Sequence, residues 1–495
     1  MPIIPLKIPP GVYRVGTDLE GSNRWRDANL IRWHQGSMRP IGGWREKFDL
    51  SADFTAAPRA MHSWVDNSGD ARIVLGSASE LVHVNESGTS ADITPVGFTT
   101  GNDDAQVNTA YGGSFYGTGY YGTVRNNTGS FQECDTWSLD NWGEYLVGCS
   151  TSDGKLYEWT LNTASPAAQI TNSPTSCKGL VVTEERFIFA LQAGGNLRKI
   201  SWCDREDNTT WTPSTTNEAG DIELQTSGEI MCAARMRGRT LIVTTVDAHV
   251  ATYQGPPYVY GFERVGTACG TVSRKSLVAM DQGAFWMGSE GFFVFDGNTA
   301  NQMACEVQDY VFDNINRNQI SKCFAVHNSE FNEIWWFYPS AGSKAIDKYV
   351  AYDYLERHWE VGTLNRTTAS DQGVFTLPIW VDETGVLYEH EVVNAAHGTD
   401  TPFAETGPIR IGSGENIMKV NNLVPDELTQ GAVQATFKTR FYPNDTERSY
   451  GPYTMSNPTS VRFSGRQVRM RIEATGNSDF RVGIMSINAE QGGRR

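Results

Sequence analysis

The sequence predicts an all-β protein. It reads as a β-propeller of six to eight blades, preceded by an extended N-terminal arm and followed by a small β-sandwich-like C-terminal domain. Three observations predict this. The chain carries 49 glycines, 22 phenylalanines, 19 tyrosines and 14 tryptophans, with few apolar runs at helical spacing, which favours strands and tight turns. Short apolar strands pair across Gly, Asp, Ser or Asn turns. Seven such hairpins follow one another, most at intervals of roughly 40–55 residues, the period of propeller blades.

Residues 1–57 are read as the arm. Four prolines in the first ten residues forbid a helix and favour an extended chain. An arm of this kind is expected to be separable, so that removing residues 1–45 leaves the propeller folded. The arm continues as GSNRWRDANLIRWHQGSMRPIGGWREKF, where aromatic and cationic side chains alternate. Trp25, Arg26, Arg32, Trp33, Arg39 and Trp44 are the candidate subunit-interface residues, because Trp and Arg anchor protein–protein contacts. Stacking on nucleic-acid bases is the alternative use of such residues.

Residues 58–400 are read as the propeller. Ala71–Leu75 pairs with Leu81–Val84, and Tyr145–Val147 with Leu156–Trp159 across Ser152-Asp153-Gly154. Next comes LVVTEERFIFALQAGGNLRKISW, residues 180–202, which reads as three successive strands. Phe187, Phe189 and Leu191 alternate there with Ile188 and Ala190, so both faces of the middle strand are apolar and both are expected to be buried. Thr240–Thr244 pairs with His249–Tyr253, Ala284–Met287 with Phe292–Phe295, Glu333–Tyr338 with Lys348–Tyr352, and Phe375–Val381 with Val386–Glu389. DGKLYEW, EGFFVFD and TGVLYEH are the nearest repeats of one another. Paired β-sandwiches also give short strands and turns; the recurring Gly-x-Leu-Tyr favours blades. Between the first two hairpins, residues 111–130 read YGGSFYGTGYYGTVRNNTGS. This is a projecting loop, with Tyr111, Phe115, Tyr116, Tyr120 and Tyr121 as its candidate contact residues.

Residues 401–495 change character. In VRFSGRQVRMRIE, Val468, Met470 and Ile472 alternate with Arg469, Arg471 and Glu473, the pattern of a half-buried antiparallel strand.

The formal charge of −16 and a pI near 5.0 argue against broad non-specific binding of DNA, which requires a basic surface. None of the eight cysteines forms a C-x-x-C pair, so zinc and thioredoxin-like readings have no support and reduced, buried thiols are expected. The N-terminus lacks the basic start and apolar core of a secretory signal. No apolar run reaches the length of about 18 residues needed to span a membrane. Synthesis and folding in a cytoplasm are therefore expected.

Catalytic signatures are missing. There is no G-x-S-x-G elbow and no phosphate loop. His390-Glu391 opens a zincin-like motif, but position 394 is Asn, so the second ligand is absent. Ser150-Thr151-Ser152-Asp153-Gly154 fails the S-x-D-x-G spacing of propeller sialidases. Carboxylates such as Asp153, Asp281 and Asp296 sit in turns, where they bond their own backbone. Two carboxylates meeting in a propeller funnel could still cleave a glycoside. No catalytic residue, metal ligand or cofactor is expected.

KIPPGVYRVGT and NLIRWHQGSMRPIGGW near the start, ISWCDREDNTTWTP and GDIELQTSGEI in the middle, and SGRQVRMRIE, DFRVGI and GRR at the end resemble the tail nozzle proteins of short-tailed bacteriophages, also called packaged-DNA stabilisation or tail accessory proteins. The resemblance implies a non-catalytic structural protein of the virion tail, made in the host bacterial cytoplasm. It implies a homo-oligomer of six copies in a ring below the portal and adaptor proteins. Tail fibre or spike and tail tip proteins would attach to it. Duplex DNA would pass through the lumen with weak contact, retained until ejection, and this chain would not enter a membrane. An acidic lumen suits that role, because it repels phosphate. A receptor- or carbohydrate-binding propeller of a tail fibre component is the alternative.

Overall fold

The computed structural model describes residues 3–107, 131–281, 283–410 and 416–493. Among the described residues, seven antiparallel sheets of four strands each follow in ring order and form the seven blades of a propeller. Their inner strands are Ala60–Val65, Trp137–Trp142, Gly179–Val182, Ile230–Met236, Leu277–Met280, Phe324–Asn328 and Thr368–Ser370. Each hairpin expected from the sequence is the middle pair of one blade. The sequence signal is strongest there because middle strands are covered on both faces by neighbouring blades.

Blade three illustrates this. Its second strand, Ile188–Leu191, is fully buried. Ile188 and Ala190 face a cluster with Val147, Cys149 and Leu156 of blade two. Phe187, Phe189 and Leu191 face Ile242, Ala251 and Tyr260 of blade four. The return to the third strand runs through a tight turn in which Gly194 and Gly195 hold φ of 69° and 77°, a conformation nearly free of cost only for glycine. One expected strand is shorter than predicted. Residues 375–378 are not in the sheet and pairing begins at Ile379, directly after Pro378, which has no N–H to give to a ladder.

The arm is not separate from the rest. Gly43–Asp49 is the outer strand of blade seven, paired with Val386–Val392, and so closes the ring. Ile3–Leu6 pairs with Met485–Gln491, and Trp25–Asn29 with Phe403–Thr406. The C-terminal module is thus a sandwich of a four-stranded and a five-stranded sheet, each containing one strand from the start of the chain. A hairpin, Ile31–His34 with Ser37–Pro40, links the two regions. Its turn residues Gln35 and Gly36 both have positive φ, as a two-residue hairpin turn requires. Val468, Met470 and Ile472 are buried inside the sandwich, while Arg469, Arg471 and Glu473 are not. A single apolar cluster runs from Phe437, Met470 and Ile487 through Val12, Trp25 and Trp33 to Phe292, Trp336 and Trp359 of blades five and six. All eight cysteines are unpaired, and seven are buried. Among the described residues no helix is long and apolar enough to cross a membrane.

Candidate functional site at the channel mouth

In a propeller, each link from an outer strand to the next inner strand passes over the same face. The link between blades one and two is long. It contains a short pair of strands, Gln106–Val107 with Phe131–Gln132. Its described ends bond to the link between blades five and six. The Ala105 N–H donates to Gln319 Oε1 at 3.0 Å, and Gln319 Nε2 donates to the Ala105 carbonyl at 2.9 Å. The side-chain amide thereby satisfies both backbone groups of one residue. The Cys134 N–H donates to Ser321 Oγ at 3.3 Å. Lys322 pairs with Asp104, and Arg274, just before blade five, lies 3.6 Å from Glu133. The one-to-two and five-to-six junctions are far apart around a seven-membered ring, so this strap crosses the channel mouth.

The strap rests on buried charge. Lys322 is only 4% exposed. Burial lowers its pKa, as does nearby Arg59, although Asp104 opposes both. Arg59, also buried, donates to Asp103 at 2.9 Å. Beside the strap lies a cavity of about 410 Å³ lined by Phe54, Arg59, Asp103, Asp104, Lys322 and Ile346, among others. A larger recess of about 640 Å³ lies at the rim between blades seven and one, lined by Arg45, Lys47, Phe375 and Glu389; it is far from the channel and largely open to solvent.

Below the strap, the inner strands are tied to one another. Ser63 of blade one bonds Ser370 of blade seven at 2.8 Å. His62 Nε2 and Asn141 Oδ1 of blade two lie 2.6 Å apart. The Val182 N–H of blade three donates to Asp140 at 2.8 Å. These groups hold blades together; they form no nucleophile–base pair. Two of the turn carboxylates do as expected: Asp153 accepts from the Lys155 N–H, and Asp296 from those of Asn298 and Thr299. His390 accepts from Arg366 Nε at 3.0 Å and stacks on Trp380, so it is occupied structurally.

The candidate interface residues lie elsewhere and serve the chain itself. Trp25 and Trp33 are buried with ring centroids 5.8 Å apart. Arg32 is 0% exposed and forks between Glu333 of blade six and Glu391 on the third strand of blade seven, with four contacts of 2.6–2.9 Å. Arg26 donates to the carbonyls of Tyr13, Val15 and Gly16. Arg39 pairs with Asp479 at 3.0 Å, and Trp44 stacks on His390. The alternation of Trp and Arg does mark an interface, but one within the chain: the arm seals the propeller against the sandwich. Tyr111, Phe115, Tyr116, Tyr120 and Tyr121 lie outside the described residues. Among the described residues, one set unforeseen from sequence brings three possible metal-ligand atoms within 4.8 Å of one another: His34, Asp353 and Glu356. Both carboxylates there already accept backbone N–H groups, Asp353 from Leu355 and Glu356, and Glu356 from Gln35.

No family model and no curated sequence matches the chain. Solved propellers are similar to it in part. A virginiamycin B lyase from Staphylococcus aureus matches at 7% identity and a TM-score of 0.43, covering 71% of this chain and 99% of that one. The WD40 domain of Neurospora crassa Pan2 matches at 9% identity and 0.40, covering 70% and 95%. BamB from Moraxella catarrhalis matches at 10% identity and 0.38, covering 73% and 95%.

Proposed function

We propose that this chain is a structural, non-catalytic component of a short-tailed bacteriophage tail nozzle, six copies of which form a ring-shaped conduit below the portal and adaptor. The observation that carries this reading is where the resembling segments lie. KIPPGVYRVGT and NLIRWHQGSMRPIGGW come from the start of the chain and SGRQVRMRIE and DFRVGI from its end, yet they meet in one module: Met38 and Val482 exchange backbone hydrogen bonds, and Arg39 pairs with Asp479. The resembling segments from the middle of the chain, residues 200–213 and 220–230, lie apart from that module, in blade three and its link to blade four. The conduit lies between copies, since a strap crosses the mouth of each propeller's own channel. The net charge of −16 keeps duplex DNA from adhering to the wall.

Negative-stain electron microscopy of the purified protein, alone or with its adaptor, is the test. A six-fold ring with a central hole is expected; a monomer under both conditions overturns the proposal. Affinity for duplex DNA at physiological salt is expected to be weaker than micromolar. A sub-micromolar affinity that falls steeply with salt sinks the weak-contact conduit. The cavity beside the strap favours a second reading, a receptor- or carbohydrate-binding propeller of a tail fibre component. That reading gains if the protein stays monomeric and binds host-surface glycans.

A further inference from the structure

The arm hairpin and the outer turn of blade six are locked together on both sides of His34. The Trp33 N–H donates to Glu360 Oε1 at 2.8 Å, and the Gln35 N–H donates to Glu356 Oε1 at 2.6 Å. His34 lies between these two bonds, at the end of Ile31–His34. Its ring stands edge-on to Phe331, with centroids 5.6 Å apart. The turn on the blade side joins Lys348–Asp353 to His358–Thr363. Asp353 shapes that turn, its Oδ1 accepting the N–H groups of Leu355 and Glu356 at 2.8 and 2.7 Å. One ligand atom from each of His34, Asp353 and Glu356 lies within 4.8 Å of the other two. Each of these side chains has a ligand atom to spare. Asp353 is 3% exposed, yet its Oδ2 has no partner among the described residues. Glu356 Oε2 and both ring nitrogens of His34 also lack one there, and neither carboxylate is in an ion pair.

We propose that His34, Asp353 and Glu356 bind a divalent transition cation of the zinc type, which clips the arm hairpin to blade six. One imidazole nitrogen and two carboxylate oxygens suit zinc, whereas magnesium and calcium prefer shells made of oxygen alone. Ligand atoms about 2.0–2.2 Å from one ion stand roughly 3–4 Å from each other. A small closing rotation of His34 and of the exposed Glu356 therefore completes the grip. The cation supplies the positive charge that two neighbouring carboxylates lack. The backbone bonds to Asp353 Oδ1 and Glu356 Oε1 are of the outer-shell kind that orients ligating carboxylates, and they leave Oδ2 and Oε2 for the ion. The exposed side of Glu356 gives the ion a way in and leaves its remaining position to water.

The test is calorimetric titration of the full chain with zinc chloride at pH 7. Saturable binding at about one site per chain is expected. His34→Gln should weaken it at least tenfold. Glu356→Gln should weaken it measurably, although the amide oxygen can still accept the Gln35 N–H. His327→Gln should leave it unchanged. His327 lies 3.4 Å from Asp371 and is also a partly exposed histidine beside a carboxylate, so it controls for adventitious zinc. No saturable binding by the wild type, or wild-type affinity in His34→Gln, overturns the proposal. Loss of binding in His327→Gln with His34→Gln unaffected does so too. Should His34→Gln fail to fold, Glu356→Gln decides: unchanged zinc affinity in that variant also overturns it.

Discussion

Arg32 is a cation without water. One guanidinium faces Glu333 and Glu391, with Glu360 close by. For Glu333, burial outweighs Arg32, and with the like charges of Glu360 and Glu391 it raises the pKa to about 8. For Glu391, burial opposes ionisation, but Arg32, the Gly42 N–H and Asn328 overcome it and hold the pKa below the usual carboxylate range. Removing the cation strands buried carboxylate charge. Arg32→Met should therefore cost about 3–5 kcal/mol, read as a lowered midpoint in urea. Arg32→Lys should rescue little, because a point charge cannot fork between two carboxylates. Buried histidines set the acid limit. Burial and Arg72 push His83 down to about 4; burial, Arg366 and His397 hold His390 well below its ordinary value. Both stay neutral when folded but take up protons when unfolded. Their contribution is complete above pH 6.5 and is lost as pH falls from there towards the folded values. At about 1.4 kcal/mol per unit, His83 alone accounts for roughly 3 kcal/mol. Urea unfolding at pH 7 and pH 5 should show a clear loss at pH 5, and His83→Gln should flatten that dependence. A flat profile in the wild type would contradict the assignment.

A blade strand is buried on both faces, and its substitutions should behave accordingly. Ile188→Asp places a carboxylate between blades two and three with no partner. Lost packing alone costs about 2–5 kcal/mol, and desolvation of the charge adds to it. Melting followed by circular dichroism should show a large drop. Lys199→Asp, on the third strand, loses only a half-exposed ion pair with Asp221 at 2.9 Å and should cost under about 1 kcal/mol. A wild-type melt for Ile188→Asp would refute the two-faced burial. This burial was legible in the sequence because Phe187 to Leu191 is apolar at every position. The inner strands were not, since Thr368–Ser370 and Trp137–Trp142 carry polar residues towards a channel that no local pattern announces. The strap was also hidden: Ala105 and Gln319 lie 214 residues apart, and nothing in either neighbourhood names the other. The arm's Trp and Arg were legible as anchors but not as anchors within the chain, because sequence alone does not say which surface an anchor meets.

At the scale of the molecule, the ring and the sandwich share one apolar cluster and one stretch of chain. Deleting residues 1–49 should therefore do more than free a tail. It removes the outer strand of blade seven and one strand from each sheet of the sandwich, exposing Leu387, Ala404 and Ile487, all now buried. Loss of the cooperative melt and aggregation on gel filtration are expected. A truncated chain with a sharp melt would restore the separable arm that the prolines suggested. This integration bears on the proposed ring as well. Trp25, Arg32 and Trp33 are already used within the chain, so contacts between copies have to come from other surfaces.

The closure of blade seven also sets a clock. Arg45 meets Glu389, 344 residues later, so the first-made strand leaves the ribosome long before its partner exists. At about 5–20 residues per second, it waits roughly 20–70 s with its hydrogen-bonding edge unpaired. Blades one to six can form in order of synthesis, whereas the seventh has to capture a strand that has been idle throughout. Gly43–Asp49 is suited to that interval: Trp44-Arg45-Glu46-Lys47 places three charges in four residues, which discourages pairing with the wrong edge.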